Sequence, residues 1–164
     1  MTEDRFWNLI EAARDRAGED LDARVSALGQ QLQELTPEDI QSFQNQYDRC
    51  VHRANRWDLW GAAYLMNGGC SDDGFRYFCH WLISEGRARF DAALASPDSL
   101  AELPRRDYFE LELFAYEALH AFEAKGGGEL ERDFSIEIAP PEGEEWDETD
   151  LPRMFPKLAA KYAN

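Results

Sequence analysis

The residues of this chain best suited to chemistry lie between Trp57 and Trp81: Asp58, Asn67, Cys70, Ser71, Asp72, Asp73 and His80, interleaved with aromatic side chains. A thiol just ahead of a helix start can be activated by unpaired N–H groups, which suggests Cys70 as a nucleophile, His80 as its base and Asp58 as the group orienting the imidazole. The spacing argues against it. Two carboxylates, Asp72 and Asp73, lie close after the cysteine, and negative charge raises a thiol's pKa. The other use of these groups is a pocket at the Asn67–Asp73 turn, rimmed by carboxylates and aromatics and suited to a small polar or cationic ligand. Competing with that pocket are capping roles: Ser71 capping a helix, Asp72 and Asp73 complementing its dipole, and Asn67 satisfying loose carbonyls.

Other chemistries lack their signatures. His52, His80 and His120 occur singly, without H-x-x-x-H or H-E-x-x-H spacing, and Cys50, Cys70 and Cys79 form no C-x-x-C pair, so no metal site and no cofactor is expected. Neither GGC nor GGG follows a strand or carries a lysine, so neither is a phosphate-binding loop. Among the bases near these groups, Arg56 is expected to pair with Asp58 or with Asp72 and Asp73.

Helices must position these groups. Thr2 caps a first helix carrying Phe6, Leu9, Ile10 and Ala13, and Gly18 stops it. A second runs from about Leu21. Thr36-Pro37-Glu38-Asp39 starts a third, with a capping hydroxyl, a proline at the first position and acids in the first turn. Trp57 to Met66 is apolar on nearly every side and is expected to be the buried central helix, ended by Asn67-Gly68-Gly69. Ser71 caps the next, with Phe75, Phe78, Cys79, Leu82 and Ile83 facing inward. A shorter helix follows, then a long one from about Asp107 to Lys125, closed by Gly126-Gly127-Gly128. Asp133 to Ala139 alternates with period two, as a short strand or extended segment does. A last helix near Leu151 to Tyr162 docks back. The expected architecture is mainly α, a single domain over residues 1–164 forming a bundle of about six to seven helices. An acidic, partly extended segment spans 126–150 and a short docking helix 151–162.

Charge narrows the partners. The chain has 164 residues and a formal net charge of −16, of which residues 126–150 carry −9, ten acids against Arg132 alone. Such a field repels phosphate backbones and anionic head groups, which disfavours nucleic acid and membrane surfaces and leaves a basic protein or a cationic ligand as suitable partners. Three cysteines without a pairing pattern, and an opening MTEDRFWNLI without a basic region or long apolar run, fit reduced thiols in a cytoplasmic protein.

The block RWDLWGAAYLMNGGCSDDGFRYFCHWLISEGRARFDAAL, with the opening TEDRFWNLIEAAR and the ending WDETDLPRMFPKL, resembles domain-of-unknown-function family 4240, found in small bacterial proteins, notably of actinobacteria. The resemblance implies a helical domain and a bacterial cytoplasm. It supplies no activity, cofactor or catalytic residue. The function expected is a non-enzymatic binding or regulatory module for a protein or small polar ligand. The alternatives are a small-molecule enzyme or ligand-binding protein using carboxylates and His80 near the Asn67–Asp73 turn, and an acidic immunity-type inhibitor of a basic toxin.

Overall fold

The computed structural model describes residues 1–135 and 139–162, and among these the chain is mainly helical, with nine α-helices and no strand. They are α1 (Glu3–Ala17), α2 (Leu21–Gln33), α3 (Pro37–Ala54), α4 (Trp57–Asn67), α5 (Asp72–Ser84), α6 (Arg87–Ala95), α7 (Glu117–Ala124), α8 (Leu151–Met154) and α9 (Pro156–Tyr162). Local chemistry sets the early boundaries. Thr2, Asp20, Thr36 and Ser71 each accept a hydrogen bond from a first-turn N–H. Gly18 and Gly68 end α1 and α4 with φ of 64° and 68°, which other residues adopt only at a cost.

The centre of the core is α5 rather than α4. It packs against α1, α3, α4, α6 and the 3₁₀ turn Glu112–Tyr116, and Phe78, Trp81, Leu82 and Ile83 are fully enclosed. The all-round apolar character of α4 has a different cause, because the helix is sandwiched. Leu59, Ala62 and Ala63 face the core, while Trp57, Trp60 and Tyr64 stay half-buried under the C-terminal part of the chain. Trp57, Trp60 and Phe75 stack as one column, with 5.1 Å between successive rings.

The structure departs from expectation in two further places. The long helix from Asp107 to Lys125 is α-helical only over Glu117–Ala124, after a 3₁₀ turn. Tertiary bonds hold the preceding residues extended: Asn67 grips both backbone groups of Phe109, and Leu111 N–H donates to the Tyr77 carbonyl at 2.9 Å. The final helix is divided at Pro156 into α8 and α9, since proline cannot continue a helix as donor. Of the alternating segment, Ile136, Glu137 and Ile138 lie outside the described residues. At its start Asp133 accepts from Ser135 N–H at 2.9 Å and from its hydroxyl.

Residues 129–162 form an arm laid across α3 and α4. Gln41 and Asp48, seven residues apart on one face of α3, and Asn55, just past its end, each hydrogen-bond the arm's backbone. Gln41 donates to the Glu131 carbonyl and accepts its N–H, both at 2.9 Å. Asp48 accepts Asp133 N–H at 2.9 Å, and Asn55 donates to the Ala139 carbonyl at 3.3 Å. Glu142 then pairs with the backbone of Asn55 and Trp57 in an isolated parallel bridge. Farther on, Trp146 sits edge-on to Trp57 and Tyr64, and Asp98 caps α9 by accepting from Lys157 and Leu158 N–H.

Candidate functional site

The turn from Asn67 to Asp73 is a joint, with its side chains committed to structure. Asn67 Oδ1 accepts Phe109 N–H at 2.8 Å and its Nδ2 donates to the Phe109 carbonyl at 3.4 Å, so one carboxamide acts as a miniature sheet partner. Ser71 caps α5 through Gly74 N–H at 3.1 Å. Asp73 pairs with Arg76 at 3.4 Å on the surface. Asp58, at the far end of α4, receives Arg56 through two bonds of 3.0 and 2.5 Å and also accepts Leu59 N–H.

Cys70 is no activated nucleophile. Burial, with the charges of Glu110 and Asp72, pushes its thiol up to about 12, and Cys50 is pushed equally far by burial. His80 turns elsewhere: its Nδ1 lies 2.8 Å from the Tyr47 hydroxyl on α3, with the two rings stacked at 5.7 Å. Burial, reinforced by Arg76, lowers His80 to about 4 and keeps the imidazole neutral. Among the described residues no group of three or more His, Cys, Asp or Glu is placed to hold a metal ion.

Open space lies instead along α3, between α5 and the arm. A cavity of about 210 Å³ is lined by Tyr47, Asp48, Arg76, His80, Arg132 and Phe134, among others. A smaller one of about 130 Å³, at the end of the aromatic column, takes Trp60, Phe75, Asp72 and Arg76, and shares Val51 and Arg76 with the first. On the other side a wide cleft of about 670 Å³, with Arg49, His52 and Arg53, shares Asp48, Arg132 and Asp133. The three lie side by side along α3 with mixed charge in their walls, and we refer to this region as the groove.

Asp48 sits where the cleft and the first cavity meet. Burial raises its pKa, opposed by hydrogen bonds from Asp133 N–H and from Gln44 Nε2 at 2.7 Å. Of the seven residues singled out in the sequence, Asp72 and His80 reach the groove, while Asn67, Cys70, Ser71 and Asp73 remain at the joint and Asp58 at the start of α4. Tyr47, Asp48, Arg76 and Arg132 were missed. The available signal was the seven-residue recurrence of Gln41, Asp48 and Asn55 along and just past α3, polar groups able to grip a backbone yet indistinguishable by type from an ordinary solvated face.

The groove and its supports define an all-helical protein whose arm completes a polar cleft on a helical body. Residues 1–124 match the profile of the family described as Protein of unknown function (DUF4240), and the chain belongs to that family. The match takes in α1 to α7 and stops before the arm, so the resemblance of the ending WDETDLPRMFPKL falls outside it. No curated protein and no solved structure matches significantly.

Proposed function

We propose that the protein is a non-enzymatic binding module that takes a small polar ligand in the groove between α3, α5 and the arm. The supporting observation is that three cavities lie side by side here, sharing Val51 and Arg76 as one wall and Asp48, Arg132 and Asp133 as the other. Those walls offer guanidinium groups, carboxylates, a neutral imidazole and aromatic faces, which suits a ligand with both charged and apolar parts. Binding is favoured over catalysis by the chemistry of the candidate groups. Both the Cys70 thiol and the Tyr47 hydroxyl are held in their neutral forms by burial, and His80 is engaged by Tyr47 rather than by a nucleophile.

The test is an NMR titration of backbone amides with four probes, glycine, phosphate, ethylammonium and glycerol, each up to about 20 mM, a range that detects millimolar affinity. Saturable shifts clustered on Asp48, Arg76, His80 and Arg132, weakened by Arg132→Gln and His80→Gln, are expected for at least one probe. Shifts scattered over the surface, or equal in the variants, would reject the groove as a ligand site.

A further inference from the structure

We infer that the ligand of the groove is a small organic carboxylate, held by the Nε2–H of His80 and the guanidinium of Arg132, with Arg49 at the mouth. The assignment rests on the binding function proposed above and gives the ligand its chemistry, against the direction set by the net charge of −16.

The tautomer of His80 follows from its neighbour. Tyr47 is 2% exposed, and among the described residues its hydroxyl has one hydrogen-bond partner, His80 Nδ1 at 2.8 Å. A buried hydroxyl that accepted from an Nδ1–H would leave its own proton without an acceptor. The Tyr47 hydroxyl therefore donates, and Nδ1 is bare. Burial keeps the imidazole neutral, so its single ring proton sits on Nε2. That Nε2–H has no acceptor among the described residues, and His80 lines the cavity of about 210 Å³. The groove thus contains a donor whose orientation Tyr47 fixes and whose partner must come from outside the protein.

The charged groups of the walls divide unevenly between occupied acceptors and unoccupied donors. Asp48 spends both oxygens inside the protein, Oδ1 on Gln44 Nε2 at 2.7 Å and Oδ2 on Asp133 N–H at 2.9 Å. Asp133 accepts twice from Ser135. Arg49 and Arg132 form no ion pair with a described carboxylate, whereas Arg53 has Asp91 and Arg56 has Asp58. Arg132 lies 4.8 Å from the centre of the Phe134 ring and acts on Asp48 more weakly than that carboxylate's hydrogen bonds do. Glu131, exposed at the mouth, is the carboxylate left over. The capacity the protein leaves open is therefore mainly for donating to an acceptor.

Distance settles the conflict with the net charge. At physiological salt exposed charges are largely screened beyond about 8 Å, so acids elsewhere on the chain oppose an anion weakly compared with donors in contact with it. Repulsion from Asp48, Asp133 and Glu131 grows with the ligand's own charge, which favours a monoanion over a phosphate dianion. Val51, Ala115, Tyr116 and Phe134 complete the cavity and offer apolar surface to a short tail. Its volume of about 210 Å³ holds roughly seven water-sized groups at about 30 Å³ each.

The experiment titrates the full chain, followed by NMR, with butanoate, butanamide, butylammonium and inorganic phosphate, each up to about 20 mM. The first three share a size and differ in charge, and phosphate is the competing anion. Butanoate is expected to bind about ten-fold more tightly than any other probe, and to lose about ten-fold in Arg132→Gln. Glu131→Gln is expected to keep or improve butanoate binding, and a loss there would mark a cation site instead. Long-range proton–nitrogen spectra at neutral pH read the tautomer without any substitution: His80 is expected as Nε2–H, with that proton shifting when butanoate is added. Saturable shifts in the groove led by butylammonium, butanamide or phosphate would retain it as a binding site and overturn its assignment to a carboxylate, as would an Nδ1–H tautomer. Absence of saturable shifts with every probe would reject the groove and the carboxylate together.

Discussion

The Tyr47 hydroxyl lies 2.8 Å from His80 Nδ1, joining α3 to α5 at the wall of the groove. Because burial lowers His80 from 6.5 to about 4, the unfolded chain binds a proton there that the folded chain refuses. Stability from this group is fully present above about pH 6.5, declines as pH falls, and is lost once pH passes through about 4. The full effect is about 3 kcal/mol. Asp48 and Glu117, whose pKa values are raised, oppose it in the carboxylate range, so the comparison with His80→Gln isolates the histidine. Denaturation midpoints of the wild type should fall between pH 6.5 and 4.5 more steeply than those of the variant. Parallel curves would show that the imidazole protonates in the folded protein.

Arg24 is fully enclosed, and its guanidinium contacts Glu85 and Ser84 at 3.1 Å and the Gly18 carbonyl at 2.8 Å. The pair is part of a network, since Arg24 also reaches Glu19 at 3.6 Å and Glu85 also takes Arg89. Removing Glu85 leaves the enclosed Arg24 with only the exposed Glu19 as a carboxylate partner, at a cost of about 3 kcal/mol. Glu85→Ala is expected to lose that much in urea unfolding. Adding Arg24→Met should cost less in the Glu85→Ala background than in the wild type, because no charge is then left unpaired.

Gly61 lies in the middle of α4, where helix propensity alone favours alanine by about 1 kcal/mol. The packing says the opposite: a Cβ there would lie 2.8 Å from Leu151 Cδ2 and 3.0 Å from Phe155 Cε2 and Trp146 Nε1. Gly61→Ala should therefore destabilise by about 1–3 kcal/mol. If the arm lifts, Trp146 becomes exposed to water and its fluorescence should red-shift. A rise in melting temperature would mean that the arm is not docked on α4.

Asn67→Ala removes both bonds to the Phe109 backbone and should cost about 1–3 kcal/mol. Amide hydrogen exchange is expected to accelerate at Phe109 while α5 keeps its protection. Since the side chain supports a joint, probe binding in the groove should be unchanged by the substitution. A selective loss of binding would restore Asn67 as a ligand residue.

The thiols give a simple check. With Cys50 and Cys70 raised to about 12 and Cys79 enclosed, iodoacetamide at pH 8 should leave the folded protein largely unmodified and label the unfolded chain fully. Rapid alkylation of Cys70 alone would indicate an activated thiol.

The starts of α1, α3 and α5 were legible because a capping side chain and the N–H it accepts are three residues apart, and the Arg56–Asp58 pair because its members are two apart. The stretch from Asp107 to Leu111 was misread for the complementary reason. Its residues are compatible with a helix, and what holds them extended is Asn67 and the Tyr77 carbonyl, more than thirty residues away. The tertiary roles of the candidate residues were hidden for the same cause. Asn67, Ser71 and Asp58 have the types of ligand-binding residues, and nothing local distinguishes a carboxamide that grips a ligand from one that grips a backbone.

By itself, the sequence determined the mainly helical class, the early helix boundaries, the acidic character and, through the block from Arg56 to Leu94, the family. These depend on periodicity, capping and composition, which act within a turn or two of the chain. Tertiary structure alone decided that α5 and not α4 is the centre, that the Asn67–Asp73 turn is a joint, and that the groove lies along α3. That groove exists because Gln41, Asp48 and Asn55 meet the backbone of residues 131, 133 and 139, 84 to 90 positions later. Backbone groups carry no sequence identity, so their partners become visible only when the chain is folded.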